Sequence, residues 1–436
     1  MKYYSLNNNS KNVGFIEAIE RGLAPDRGLY FPSEIPELSN YFVNNIKKYS
    51  DHEIAFQVIN PFVGNEIPND VLKGIIKKTL KFNFPIVNIS KNIASLELFQ
   101  GPTLAFKDVG ARFMANCLSY ANLKEKENKK ITVLVATSGD TGGAVANGFY
   151  KFKNIDVVIL FPKGKVSEIQ EYQLTTLGKN ITALEVEGSF DDCQNFVKNA
   201  FIDPELIKKI NLTSANSINV GRWLAQMFYY FIAYRDRPNP DKELIVSVPS
   251  GNFGNICAGL VSKKMGLPIS HFIASTNSND TIPRFLNTGI YKPKKSIQTI
   301  SNAMDVANPS NFLRIQKLFN NDIFGLKKSL TAYSYSDKQT EKAINKIYKL
   351  KNYITDPHGA VGYLGLIDFL NSKKEPENYQ GLFLETAHPI KFSKTVEKII
   401  KEKIEIPNEI KNMLKRKKKS TPIKDYNDLK SILFSK

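Results

Sequence analysis

The sequence predicts an α/β protein: two units built on parallel sheets, preceded by an extra N-terminal module. Two observations predict this. From Ile131 onward, short β-rich runs alternate with segments of helical spacing, and glycine-rich loops follow two of those runs. Strands alternating with helices imply a parallel sheet covered on both faces. Glycine loops at the carboxyl ends of such strands mark a crevice where a ligand binds.

The elements follow in order. In the first hundred residues, 22–38 (GLAPDRGLYFPSEIPEL) is rich in turn formers and 69–82 (NDVLKGIIKKTLKF) has helical spacing. The first α/β series opens with ITVLVATSG (131–139), a strand entering a loop, and TGGAVANGFYKF (141–152), a helix. DVVILFP (156–162) is the next strand, VSEIQEYQLTTLG (166–178) the next helix and ITALEVEG (181–188) a third strand. FDDCQNFVKNAF (190–201) then returns to helical spacing. A second series begins at ELIVSVPSG (243–251), with the helix ICAGLVSKKMG (256–266) behind it and the strand HFIAST (271–276) after that. The expected division is an N-terminal module over 1–95, a larger domain from 96–130 and 242–436, and a smaller one over 131–241.

At 436 residues and 42% hydrophobic, the chain is long enough for two or three domains with cores of their own. No apolar run approaches the roughly 18 residues of a membrane span, and the opening MKYYSLNNNSKN lacks the apolar core of a secretion signal. Cys117, Cys193 and Cys257 form no close pair, which suits reduced thiols in a cytoplasmic protein. His52, His271, His358 and His388 are scattered, so no metal is expected. The net charge of +18 suggests nucleic acid, but the basic residues are spread along the chain and only 414–420 (LKRKKKS) is dense. The expectation is a solvated basic surface on an enzyme, with neither a nucleic-acid nor a membrane partner.

Four local features carry chemistry. Lys107 stands between the apolar run of 101–106 and a helix-like segment, flanked by Phe106 and Asp108 with Gly110 close behind. Desolvation there would lower its pKa toward the neutral, nucleophilic amine; the ordinary alternative is a lysine snorkelling to the surface. Ser250–Asn255 follows a strand and opens a helix, so its backbone amides can cup one phosphate monoester. It lacks the lysine of a Walker loop and the spacing of a dinucleotide fingerprint. Ala136–Gly143 holds the same position after its own strand, where hydroxyls and amides suit a carboxylate or second phosphate, or simply cap the helix. Ser214–Asn219 runs into Arg222, whose planar fork suits a phosphate or else a surface ion pair. A lysine, a phosphate cup and two further oxyanion sites together suggest pyridoxal phosphate with an anionic amino-acid substrate.

The motifs GPTLAFKD, ATSGDTGGAVA, NSINVGR, VPSGNFGN, SNAMDV and LETAHPIKF, taken in this order, resemble the threonine synthases of the short bacterial and fungal class. The likeness runs from the first module to Phe392. The related tryptophan-synthase-β-like enzymes share the lysine and glycine loops but not SNAMDV or the N-terminal module. The resemblance implies fold type II of the pyridoxal-phosphate enzymes, with two α/β domains clasping the cofactor. It also implies the last step of threonine biosynthesis, from O-phospho-L-homoserine and water to L-threonine and phosphate, in a monomer or homodimer. Lys107 would bind the cofactor covalently and then shuttle protons. Gly251, Asn252, Phe253, Gly254 and Asn255 would hold the cofactor phosphate, and Thr386 would face the pyridine nitrogen. Thr137, Ser138, Thr141, Asn216 and Arg222 would receive the substrate's carboxylate and phosphate, with Lys163 a further candidate for the phosphate. Asp140 departs from the SGNTG of many enzymes of the wider fold, so an asparagine's contact there does not carry over. A serine or threonine dehydratase, or another β-replacement enzyme of the same fold, would need no second phosphate site. A cofactor carrier or a basic nucleic-acid binder would need no turnover.

Overall fold

The computed structural model describes residues 1–124 and 130–436, so 125–129 of the expected 96–130 segment lie outside the described residues. Two short strands, β1 (Tyr3–Ser5) and β2 (Tyr30–Pro32), pair antiparallel in the N-terminal module. Then come β3 (Ile86–Ser90), β4 (Ile93–Glu97), β5 (Ile131–Ala136), β6 (Ile155–Pro162), β7 (Ile181–Val186) and β8 (Asn211–Ser214). The last five are β9 (Glu243–Pro249), β10 (Ile269–Thr276), β11 (Leu330–Ser334), β12 (Tyr379–Glu385) and β13 (Thr421–Ile423).

They form a six-stranded sheet of order β11-β10-β9-β12-β4-β3 and a five-stranded sheet of order β13-β7-β6-β5-β8. Every pairing in the two is parallel except β3 with β4. The expected α/β architecture is present, and the burial explains why its strands read so clearly. All of β5 is buried, as is β9 after Glu243, because helices cover both faces of a parallel sheet.

The expected boundaries move in two places. Residue 95 lies inside β4, which pairs with β12, so the six-stranded sheet begins before the N-terminal module was expected to end. The chain's last strand, β13, joins β7 of the other sheet. Ile423, Leu429 and Leu433 pack there with Leu184, Val186 and Cys193, so apolar burial draws the C-terminus away from the larger unit. The N-terminal module is not a separate body either. Tyr3, Phe15, Ile54 and Phe62 share one core with Phe113, Trp223 and Phe228. Among the described residues, no helix is long and apolar enough to cross a membrane.

Candidate active site

Lys107 opens the helix Lys107–Lys124, and the strand end that follows β12 fixes the approach to it. Ala105 bridges Ala387; Phe106 N–H donates to the Thr386 carbonyl at 2.9 Å and His388 N–H to Leu104 O at 3.1 Å. That short antiparallel contact sets Lys107 and Thr386 side by side. Both line one cavity of about 470 Å³, together with Gly251 to Asn255, Thr137, Ser138, Thr141, Asn216 and Arg222. Of the residues singled out in the sequence, only Lys163 is absent from its wall. Lys163 sits exposed beyond β6, its ammonium 3.8 Å from Glu187. Its position after a strand says nothing of direction, and its side chain points to solvent.

Burial pushes the Lys107 ammonium down to about 8; Asp140 opposes the shift, while Arg222 and Lys391 add to it. Asp140 itself is buried and pairs with Lys391 Nζ at 2.7 Å, where Gln170 Nε2 also donates to it at 2.9 Å. Burial alone would raise Asp140, but the Lys391 and Lys107 charges hold it well below the usual carboxylate range. Asp140 therefore stands as a fixed negative charge beside Lys107, where the wider fold often has a neutral amide. Lys391 also donates to Thr103 O at 2.9 Å.

The loop after β9 turns through Phe253 in the left-handed region, φ 60°, and starts the helix Gly254–Lys264. The first amides of a helix have no partner within it and attract an anion. Gly251 is required by its neighbours: a Cβ there would lie 2.8 Å from Met304 Cα and 2.9 Å from Ala303 O. Asn252 is fixed between Ser217 and Ser310, donating to Ser217 Oγ at 2.7 Å and accepting from Ser310 N–H at 2.7 Å. The hydroxyls of Tyr229 and Tyr230 both donate to Asn255 Oδ1 at 2.6 Å, leaving its buried Nδ2 without a partner.

In the loop after β5, Thr137 Oγ1 accepts from Gly139 N–H at 2.9 Å and Gly142 N–H at 2.8 Å. Its oxygen thus helps to cap the helix Asp140–Gly148, and its O–H remains to donate toward the cavity that Thr137 lines. Asn216 donates to Ala136 O at 2.9 Å, which ties the third polar cluster to that same loop. Arg222 is buried. One Nη donates to Ala215 O, Nε has no partner, and burial lowers the guanidinium to about 10 against the opposing Asp108 charge. No surface ion pair holds it. The N-terminal module reaches this cluster as well, since Ile19 O accepts from Asn219 Nδ2 at 2.8 Å and Thr213 Oγ1 at 3.1 Å.

Sequence reasoning passed over several residues of this wall. Lys198, Lys294 and Lys295 add positive charge to it, and Asp305 and His358 line it too. His388, next to Thr386, has a structural part: its Nδ1 accepts from Ile390 N–H at 3.1 Å, and burial lowers its pKa to about 4. The three cysteines are buried and unpaired.

The residues present fit pyridoxal phosphate. An amine shifted toward its neutral form suits an aldehyde, a helix start with no side-chain cap and a buried amide donor suits a phosphate, and one cavity contains both. Gly251→Ala is expected to weaken cofactor binding about tenfold to a hundredfold, since overpacking against backbone typically costs ~1–3 kcal/mol. Fluorescence titration of cofactor-free protein measures this, and an unchanged affinity would put the phosphate elsewhere.

Comparison with known proteins agrees with this geometry. The family model of pyridoxal-phosphate dependent enzymes matches residues 89–384, that of the threonine synthase N terminus 2–80, and that of the threonine synthase C-terminal region 360–433. The chain is 48% identical over 416 residues to a threonine synthase of Buchnera aphidicola subsp. Acyrthosiphon pisum, covering 95% of each. Among solved structures it is similar to threonine synthase from Escherichia coli, at TM-score 0.93 and 42% identity over 100% of both chains. It is also similar to the PLP-bound threonine synthase of Brucella melitensis, at TM-score 0.91 and 33% identity, covering 99% of this chain and 98% of that one.

Proposed function

This chain belongs to the threonine synthase family, and from that premise we propose how its residues divide the work. The enzyme converts O-phospho-L-homoserine and water to L-threonine and phosphate, with pyridoxal phosphate as cofactor. When bound, the cofactor supplies the electron sink for protons leaving the substrate's α and β carbons.

Lys107 would hold the cofactor, and its amine, when free, would move protons at those two carbons. The observation that carries this is an amine lowered to about 8 in the same cavity as the Gly254 helix start. Such an amine has both protonation forms available near neutrality, as a proton shuttle needs. Asp140, locked to Lys391, does not compete for those protons. The amides of Gly251 to Asn255 take the cofactor phosphate. Thr386 would offer the ring nitrogen a hydroxyl instead of a carboxylate, which would favour that nitrogen's unprotonated form. Ser138, Thr141, Asn216 and Arg222 receive the substrate's carboxylate and phosphate, around the cap that Thr137 makes. Water must be excluded while protons move, so the two sheets' domains are expected to close on the substrate. Three buried free thiols support a reducing, cytoplasmic setting. The residues named for the site all come from one chain, which suits a monomer and a homodimer alike.

Borohydride reduction followed by peptide mapping tests the first assignment: the cofactor is expected on Lys107, and its recovery on another lysine would overturn the scheme. Arg222→Lys tests the substrate site. Arginine offers phosphate two coplanar donors and lysine a point charge. Losing one charge-assisted hydrogen bond costs roughly 1.5–3 kcal/mol. The variant is therefore expected to keep its cofactor spectrum and lose about tenfold to a hundredfold in kcat/KM on O-phospho-L-homoserine. Binding of an unphosphorylated amino acid is expected to change little. Equal losses for both ligands would make Arg222 a grip for the carboxylate or a support for the fold.

A further inference from the structure

The turn Ser301–Val306 closes one side of the cup at Gly251, and a buried relay holds that turn from behind. Ala303 N–H donates to His358 Nε2 at 3.2 Å. Nε2 therefore carries no proton, and the ring's proton lies on Nδ1, 2.5 Å from Asp356 Oδ1. Asp356 caps the helix Pro357–Asn371 with the same oxygen, which accepts from His358 N–H at 2.8 Å. Behind it lies Glu385, the residue before Thr386. Glu385 Oε2 accepts from Asp356 N–H at 3.4 Å, and Thr355 donates to Oε1. A Cβ on Gly359 would lie 2.1 Å from Glu385 Oε1, so that glycine is what admits the carboxyl. Burial, with the Asp356 carboxylate beside it, raises Glu385 well above the usual carboxylate range. The pocket therefore favours the protonated form of Glu385 beside Asp356. Asp356, Glu385 and His358 are each at most 2% exposed, and the Phe392 ring meets the imidazole edge-on at 5.0 Å.

We propose that His358 is a positioning residue for the cofactor phosphate: held as the Nδ1–H form by Asp356, it anchors Ala303 and so sets the Ser301–Val306 turn against Gly251. Removing the acceptor leaves the Ala303 amide unpaired and loosens the middle of the turn that Gly251 abuts, while Asp305 still ties it to Thr299 and Asn277. The inference rests on the reading of Gly251 to Asn255 as the phosphate cup.

The test compares how pyridoxal phosphate and pyridoxal, which lacks the phosphate, bind the cofactor-free full chain. His358→Asn keeps a donor near Asp356 but loses the Nε2 acceptor. His358→Gln places an amide oxygen near Nε2 and restores it. His358→Phe keeps an aromatic ring in place without either nitrogen. His358→Asn and His358→Phe are expected to lose about tenfold in affinity for pyridoxal phosphate, with pyridoxal changed by less than about twofold. His358→Gln is expected to stay within about threefold of the parent. The melting temperature of each cofactor-free variant reports on folding, and His358→Phe decides if His358→Asn does not fold. A His358→Asn or His358→Phe protein that keeps the parent's preference for the phosphorylated form, or loses both ligands in parallel, would overturn the proposal. A parent that does not prefer pyridoxal phosphate over pyridoxal would instead overturn the cup.

Discussion

Lys107→Ala is expected to cut threonine formation by at least about 10³-fold while the chain stays folded, because one amine both binds the cofactor and moves the protons. The long-wavelength absorption of the lysine-bound cofactor is expected to vanish with it. Near-normal turnover by this variant would end the mechanism. A second readout needs no catalysis. An unfolded lysine titrates near about 10.4, and Lys107 in the fold near 8. Between those values the unfolded chain binds more protons than the folded one, so the stability of cofactor-free protein rises with pH across that window. Lys107→Ala removes that rise. Urea unfolding at pH 7, 8 and 9 is expected to give a flatter series for the variant than for the parent. Two parallel series would mean that Lys107 is solvated and fully charged.

Lys391→Met is expected to destabilise the protein by about 3–5 kcal/mol, as removing one partner strands the other's buried charge. Both side chains are almost fully enclosed, at 0% and 4% exposure. Gln170 still donates to Asp140, which draws the loss toward the lower figure. In the parent, Asp140's contribution is full above the unfolded carboxylate's pKa of about 3.9 and is lost only as pH falls through a still lower value. Without Lys391, burial dominates and Asp140 takes up a proton at higher pH, so the variant's deficit grows as pH rises from about 4. Chemical unfolding at pH 4 and pH 8 measures that difference. Asp140→Asn in the same chain is expected to recover much of the deficit. A deficit equal at both pH values and untouched by Asp140→Asn would show that Lys391 matters for packing alone.

β5, β6, β7, β9 and β10 could be read from the sequence because they are apolar runs set between segments of helical spacing, whereas β3, β4, β11 and β12 had no such reading. β8 and β13 could not be read either. Asn211 and Leu212 of β8 lie in the open or half-open, and β13 buries only Ile423, so neither shows a run and both exist through pairing with distant strands. Lys107 could be read because apolar neighbours on its amino-terminal side marked it as enclosed. Lys391, between Ile390 and Phe392 in a motif already noticed, carried the same mark, but its partner Asp140 is far away in sequence. In the sequence His358 is only one of four scattered histidines, and nothing there singles out Asp356. Their part depends on Ala303 and Glu385, which only the fold brings to them. Thr137 keeps both readings, ligand donor and helix cap, because one hydroxyl can accept from the helix start and still donate elsewhere.

The placement of β13 bears on how the chain is made. A nascent protein tends to complete its domains in order of emergence. Here the strands β5 to β8 are synthesised early, yet the edge of their sheet and the apolar cover from Leu429 and Leu433 come from 421–433, far later in the chain. Until that segment has emerged and docked, β7 presents an open edge, free to pair with another copy of itself. Docking of β13, rather than emergence of residue 214, is the event that closes the smaller sheet.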